Sequence, residues 1–284
     1  MLTCFSPLLT YMLAMRISFL ITYLFFSSLL QLSAQTGLTA GPPRVYFIAD
    51  AGQQQVQFVE VTNPSKDYML ELAVSLEDWT YTPLGDNRME PKGTLANSCA
   101  AWISFSEPYF TLQPGESKRV QVTMQVPKNF VSQAENPVHT AMLFITQLNP
   151  RARERSDGAN IRLAVRSGIK IYHRPNAREV QDVEIDNISY LQVDSATNIL
   201  AVDFRILANI WMEGKIQTEL FNQDTGEKLN LAPVSFYALP NDARKQYIDL
   251  PKDLPKGSYL ASMIFIYDNQ SAVKVGELEF THEE

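Results

Sequence analysis

The sequence is poor in the residues from which most catalytic and metal sites are built. Its 284 residues include two cysteines and three histidines. Two cysteines exclude a disulfide-rich scaffold and any multi-cysteine metal or iron–sulfur site. The histidines, His139, His173 and His282, show no metal-ligand spacing, and no catalytic-serine or phosphate-loop motif is present. Because no pair of carboxylates stands out as acid and base, we predict no enzyme activity, no metal site and no cofactor.

Positive charge is also scarce. The net charge of −7 argues against a general nucleic-acid binder, which needs basic residues to neutralise phosphates. A hydrophobic content of 45% with 19% charged residues excludes a disordered chain. The length suits one large or two small domains.

The first 34 residues differ from the rest in containing one charged residue, Arg16. The apolar run Ile17–Leu30 follows it, and Ser33 and Ala34 provide a small-residue exit, as in a secretory signal peptide. We therefore predict a signal peptide over residues 1–34, with Met15 as the alternative start. The other interpretation is a retained membrane anchor, but this run is shorter than the roughly 20 residues that a spanning helix needs. Cleavage would leave Cys99 as the one cysteine, most simply a small buried apolar residue.

The remaining chain shows the alternation of apolar and polar residues that is typical of β-strands. Leu70, Leu72, Val74 and Leu76 alternate with polar or small residues, and turn residues end each run. Pro175 ends one strand near a seam at residues 173–179, and a second strand series follows it. We predict an all-β fold of two immunoglobulin-like sandwich domains set at an angle, over residues 35–175 and 176–284. The second series is 180–188, 199–208, 215–222, 229–239, 244–250, 259–267 and 273–281.

One basic stretch stands out in this acidic chain. Residues 151–174 contain seven basic and two acidic residues. Within residues 160–172, apolar side chains occupy odd positions, and Arg162, Arg166 and Lys170 occupy even ones. Strand alternation places these two sets on opposite faces. The simplest interpretation is a solvated loop and the outer face of a strand, but the regular pattern also suits a strand that meets a partner.

The residues around this stretch carry a resemblance to a known family. Leu163–Pro175 resembles the last strand of the first domain in PapD-like periplasmic pilus chaperones, which holds a Lys between aliphatic residues and then an aromatic and Arg-Pro. Four other segments resemble that family in the same order, and the match covers most of residues 42–175. They are Pro43–Phe47, Val59–Asn63, Phe110–Val120 and Ala141–Pro150.

The resemblance implies a periplasmic chaperone that completes a pilus or fimbrial subunit by donating a strand. It implies that Ile161, Leu163 and Val165 fill the groove of the subunit. It also implies that Arg44 and Lys170 anchor the subunit's C-terminal carboxylate, although each taken alone is more simply a solvated strand residue. An outer-membrane usher is an expected partner, and the free strand edge suggests a self-dimer.

The chain departs from the family at one place. Family members commonly carry a Glu before the sixth strand, which pairs with the Arg of Arg-Pro between the domains. His139 stands at that place here, and Glu135 lies four residues earlier. The interdomain role that the resemblance gives to Arg174 therefore stays open.

Two classes of function fit the sequence. The first is the periplasmic chaperone, and the second is a structural or adhesive exported protein that uses its two sandwiches as spacers. An exported hydrolase is a weaker third, because no catalytic constellation is present. A chaperone needs the strand at 160–172 to be exposed and apolar, whereas a spacer would cover it.

Overall fold

The computed structural model describes residues 37–154, 160–194, 197–267 and 272–283. The described chain is all-β, as predicted, and its one helical segment is a single 3-10 turn at Ala100–Trp102. No helix in these ranges is long and apolar enough to span a membrane. The predicted signal peptide lies outside the described residues.

The strands fall into two sets that share no sheet. The first set is β1 Thr39–Gly41, β2 Arg44–Ile48, β3 Gln54–Thr62, β4 Leu70–Tyr81, β5 Asn87–Glu90, β6 Ile103–Phe105, β7 Tyr109–Leu112, β8 Ser117–Gln125, β9 His139–Gln147, β10 Ala152–Glu154, β11 Asn160–Arg162 and β12 Arg166–Arg174. The second set is β13 Val183–Asp194, β14 Thr197–Ile206, β15 Met212–Asn222, β16 Lys228–Asn230, β17 Val234–Ala238, β18 Ala243–Asp249, β19 Gly257–Tyr267 and β20 Ala272–His282.

The first sandwich packs two sheets face to face. One sheet has the strand order β1-β3-β8-β6, and the other has the order β2-β12-β9-β4-β5, with β7 also paired to β4. The apolar residues of the predicted alternation form its core, including Val59, Leu72, Val120 and Leu143. Alternation thus places one face of each strand inside, and burial of these side chains is the main force that holds the sheets together.

The second sandwich has its own core, which is centred on Phe204, Phe236 and Phe265. Its sheets have the orders β13-β14-β18 and β16-β15-β19-β20, with β17 also paired to β15. The seven predicted strands are present, except that the run at 229–239 is divided into β16 and β17. Pro233 lies in the interruption, where the missing amide hydrogen removes a ladder bond.

The two sandwiches are joined by residues 175–182 and also touch directly. The amide of Lys245 donates to the carbonyl of Pro83 at 2.8 Å. The rings of Tyr46 and Trp211 stack with their centroids 4.6 Å apart. These contacts bring the β4–β5 turn and β2 of the first sandwich against the second. The exact domain boundary at 175 stays a prediction.

A histidine pair lies near the end of the first core. His139 and His173 are register partners on β9 and β12, and their rings are 5.5 Å apart among Trp102 and Phe130. Burial, reinforced by His173, lowers the pKa of His139 to about 4. Burial also lowers the pKa of His173, against the opposing effects of the Ala49 carbonyl and Asp50. Both rings are therefore expected to be neutral at pH 7.

This pair predicts a loss of stability in mild acid. Because the folded pKa of each histidine lies below its unfolded value near 6.5, the unfolded state binds more protons in that range. We expect the free energy of unfolding to fall as the pH drops from about 6.5 to 4. Denaturant titrations across that range, on the wild type and on His139→Phe, would measure it. An equally steep fall in both proteins would contradict the assignment.

Candidate functional site

The stretch predicted as one strand at 160–172 is divided in the structure, so this prediction was wrong in its extent. Residues 160–162 form β11 and pair with β10, while β12 begins at Arg166. The reason is that β9 ends at Gln147, and the side chain of Asn149 then occupies the amide of Glu71 and the carbonyl of Met69. Residues that precede Val165 therefore have no residue of β9 left to pair with.

One side of β12 is open before Lys170. Strand β2 pairs with β12 in parallel only from Lys170 to Arg174, beginning with the bond from the Lys170 amide to the Pro43 carbonyl at 3.0 Å. Residues 165–169 are paired with β9 on one side and, within the described ranges, with no strand on the other, although β1 passes close to β12. Since the Val165 carbonyl accepts from Gln147, strand alternation turns the amides and carbonyls of Arg166 and Gly168 toward the open side. The expected edge is therefore present, but it is shorter than predicted.

The apolar row of this segment runs from the protein's own core out to the open edge. Ile169 and Ile171 are fully buried in the first core. Val165 is half-buried, and Leu163 is 75% exposed. The side chain of Ile161 lies outside the described part of the structure. Leu163 and Val165 are thus accessible to a partner, as their assignment as groove-filling residues requires.

The parallel pairing of β2 with β12 brings Arg44 and Lys170 side by side, since the two are register partners. The Lys170 ammonium donates to the hydroxyl of Tyr81 at 2.8 Å and lies 4.5 Å from the ring centroid of Trp79. The Arg44 guanidinium lies 4.3 Å from the ring centroid of Tyr237, on the second sandwich. Among the described residues, neither cation forms a salt bridge with a carboxylate. Two adjacent positive charges that are held by aromatic rings and have no acidic partner among the described residues are chemically able to bind an anion.

The surroundings of Lys170 disfavour its own charge. Burial, together with the positive charges of Arg44 and Arg244, lowers the pKa of Lys170 to about 8. Burial disfavours the charge of Arg44 as well, but its interaction with Tyr237 and the nearby Tyr172 and Tyr46 outweighs that effect and raises the pKa of Arg44. An anion placed between the two cations would relieve their repulsion.

Arg174 lies at the end of β12 and is buried. Its guanidinium pairs with Glu179 and donates to the carbonyls of Pro175 and Ala177, each at 3.3 Å. It therefore holds the segment that leads into the second sandwich. The acidic partner of Arg174 is thus Glu179 in the connecting segment and not a residue before β9, and the short sequence distance between the two was a usable signal.

Other cations and clusters add little to the site. Arg166 lies over the ring of Phe144 and pairs with Glu77, so its charge is already engaged. Cys99 is fully buried, and burial raises the pKa of its thiol far above the usual range. Within the described ranges, no three side chains of His, Cys, Asp or Glu are grouped closely enough to hold a metal ion.

Comparison with known proteins gives low similarities. No family model and no curated protein matches the sequence. Among solved structures, the YadV chaperone is 11% identical over 86% of this chain and all of its own, with a TM-score of 0.42. The E. coli chaperone DraB is 15% identical over 87% of this chain and 98% of its own, also at 0.42, and the periplasmic chaperone SfaE is 12% identical over 86% and 98%, at 0.39.

The electrostatics of Lys170 predict that its charge does not support the fold. Replacing a half-buried, repelled cation by an apolar side chain of similar length is usually neutral or stabilising. We expect Lys170→Met to leave the free energy of unfolding at pH 7 unchanged, or to raise it by about 1 kcal/mol. Because the folded pKa lies below the unfolded value, the wild type should gain stability relative to this variant as the pH rises from about 8 to 10. Denaturant titrations measure both, and a loss of more than about 1 kcal/mol in the variant would show a structural role instead.

Proposed function

We propose that this chain is an exported chaperone that binds a pilus or fimbrial subunit whose own immunoglobulin-like sandwich lacks a strand. The observation that carries the proposal is the position of Arg44 and Lys170. These two cations have no acidic partner among the described residues and lie where the open edge of β12 meets β2. A strand edge that ends in an anion site suits a partner strand that ends in a carboxylate.

The direction of the partner strand follows from the pairing. Strand β2 runs parallel to β12 and occupies its edge from Lys170 onward. A partner strand that lies on the same edge ahead of β2, and runs the same way, points its C-terminus at Arg44 and Lys170. Its terminal carboxylate would then accept charge-assisted hydrogen bonds from both side chains. The amides and carbonyls of Arg166 and Gly168 supply the main-chain bonds.

The odd-numbered side chains supply the apolar contact. If the alternation of β12 continues back through residues 163–165 in the bound state, Leu163 and Val165 fall on the same face as Ile169 and Ile171 and extend into the open core of the partner. Ile161 would continue this row in the bound state. Each side chain that becomes fully buried adds ~1.5–3 kcal/mol to binding before the cost of ordering the segment is subtracted.

The location and the other partners follow from the same proposal. The predicted signal peptide at residues 1–34 would deliver the chain to the periplasm, and an outer-membrane usher would receive the loaded subunit. In the absence of a subunit, the open edge of β12 suits pairing with a second copy. The chain would act without enzymatic activity, since the site binds and releases a strand.

The decisive test compares adjacent charge changes on the two faces of the edge. We expect Leu163→Asp to reduce recovery of the subunit from the periplasm by at least about tenfold, because the carboxylate would be buried unpaired in the groove. Ala164→Asp adds the same charge one residue further on, where alternation points the side chain away from the groove. Both positions are exposed in the free protein, so neither change should affect folding.

The measurement is co-purification of the tagged chain from its native periplasm, with identification of the bound protein by mass spectrometry and melting temperatures for both variants. We expect the bound protein to be an immunoglobulin-like subunit that lacks a strand. The wild type and Ala164→Asp should retain this subunit, and Leu163→Asp should lose it. Recovery of no such subunit by the wild type would favour the structural or adhesive alternative. Equal losses in both variants would refute the assignment of the donated face.

A further inference from the structure

A third cation reaches the site from the second sandwich. Arg244, on β18, has a side chain that is 4% exposed. Its Nη2 atom lies against Gly85 in the β4–β5 turn, where a Cβ atom would collide with the guanidinium and where φ is +95°. The amide of the next residue, Lys245, donates to Pro83 in the same turn. Arg244 is thus held between the two sandwiches at a turn that requires glycine.

Two tyrosines connect Arg244 to the two proposed anchors. Its Nη1 atom donates to the carbonyl of Tyr237 at 2.7 Å, and the ring of Tyr237 lies beneath Arg44. Its Cζ atom lies 5.1 Å from the ring centroid of Tyr81, whose hydroxyl accepts from Lys170. A displacement of Arg244 would therefore reach both anchors.

The charge of Arg244 is incompletely balanced. The carboxylate of Asp242 is 3.8 Å from its Nη1 atom and is also engaged by the amide of Leu239 at 2.8 Å. The Nε atom is buried and has no hydrogen-bond partner. A buried guanidinium with an unpaired nitrogen and a distant counterion contributes little to the free energy of unfolding, because a well-packed apolar side chain would stabilise the fold at least as much. Its position beside two further cations suggests an electrostatic role.

We infer that Arg244 is a positioning residue of the carboxylate site, which holds Tyr81 and Tyr237 against the two anchors and adds a third positive charge to their field. This inference rests on the proposed function. It makes the second sandwich a part of the binding site and explains why the two sandwiches meet at the β4–β5 turn. A subunit carboxylate would feel charges from both sandwiches, so its binding would depend on their relative placement.

The test uses a defined probe, a short peptide of alternating valine and threonine with a free C-terminal carboxylate, and the same peptide with a C-terminal amide. Dissociation constants are measured for the wild type, Arg244→Met and the matched control Lys245→Met. The control removes the same charge from the adjacent residue of β18, whose side chain pairs with Asp203. We expect Arg244→Met to weaken binding of the free acid by at least about threefold, with Lys245→Met close to the wild type.

A pH profile separates positioning from a general structural effect. In Arg244→Met, Lys170 loses a neighbouring positive charge, so its pKa should rise. The pH at which affinity for the free-acid peptide falls should therefore move to a higher value in Arg244→Met and stay in place in Lys245→Met. Weaker binding at every pH without such a shift would overturn the inference, as would equal behaviour of the two variants. If Arg244→Met does not fold, Arg244→Gln replaces it with the same expectations.

The outcome also separates this inference from the function on which it rests. A wild type that binds the acid no better than the amide would remove the carboxylate site itself. The other informative result is that the wild type prefers the acid, that Lys170→Met loses this preference, and that Arg244→Met keeps it with an unshifted alkaline limb. That result would leave the site intact and refute the role of Arg244.

Discussion

The parallel pairing of β2 with β12, which begins at Lys170, is the constraint on which the rest of the site depends. It places Arg44 beside Lys170 and, in the part of the chain that the structure describes, leaves β12 without a second paired strand before that point. If β2 began four residues earlier on β12, the edge would be closed. The open edge and the proximity of the two cations are therefore two consequences of one register.

The site also depends on aromatic rings that come from both sandwiches. Trp79 and Tyr81 support Lys170, and Tyr237 supports Arg44. Cation–π contacts of this kind hold a cation in place without neutralising its charge. The two cations thus keep their capacity for an anion, which a salt bridge to an internal carboxylate would have removed. The cost is that burial, and then the repulsion from Arg44 and Arg244, lowers the pKa of Lys170.

Much of the fold could be predicted from alternation alone, because Leu70, Leu72, Val74 and Leu76 are buried as their spacing indicates. The pairing of Arg44 with Lys170 could be anticipated only through the family resemblance, since the two residues lie far apart in the chain. The break before Arg166 could not, because it depends on where β9 ends and on the side-chain bonds of Asn149. The role of Arg244 could not be predicted for a similar reason, because the local sequence does not indicate which turn of the other sandwich a side chain will contact.

The central claim is that β12 offers a free main-chain edge, and amide hydrogen exchange tests it most directly. The amides of Arg166 and Gly168 face the open side, whereas those of Ser167 and Ile169 face β9. The account predicts fast exchange at Arg166 and Gly168 in the free monomer, with slow exchange at Ser167 and Ile169, and protection of all four once a subunit is bound. Slow exchange at Arg166 and Gly168 in the free monomer, or no gain in their protection on binding, would contradict it.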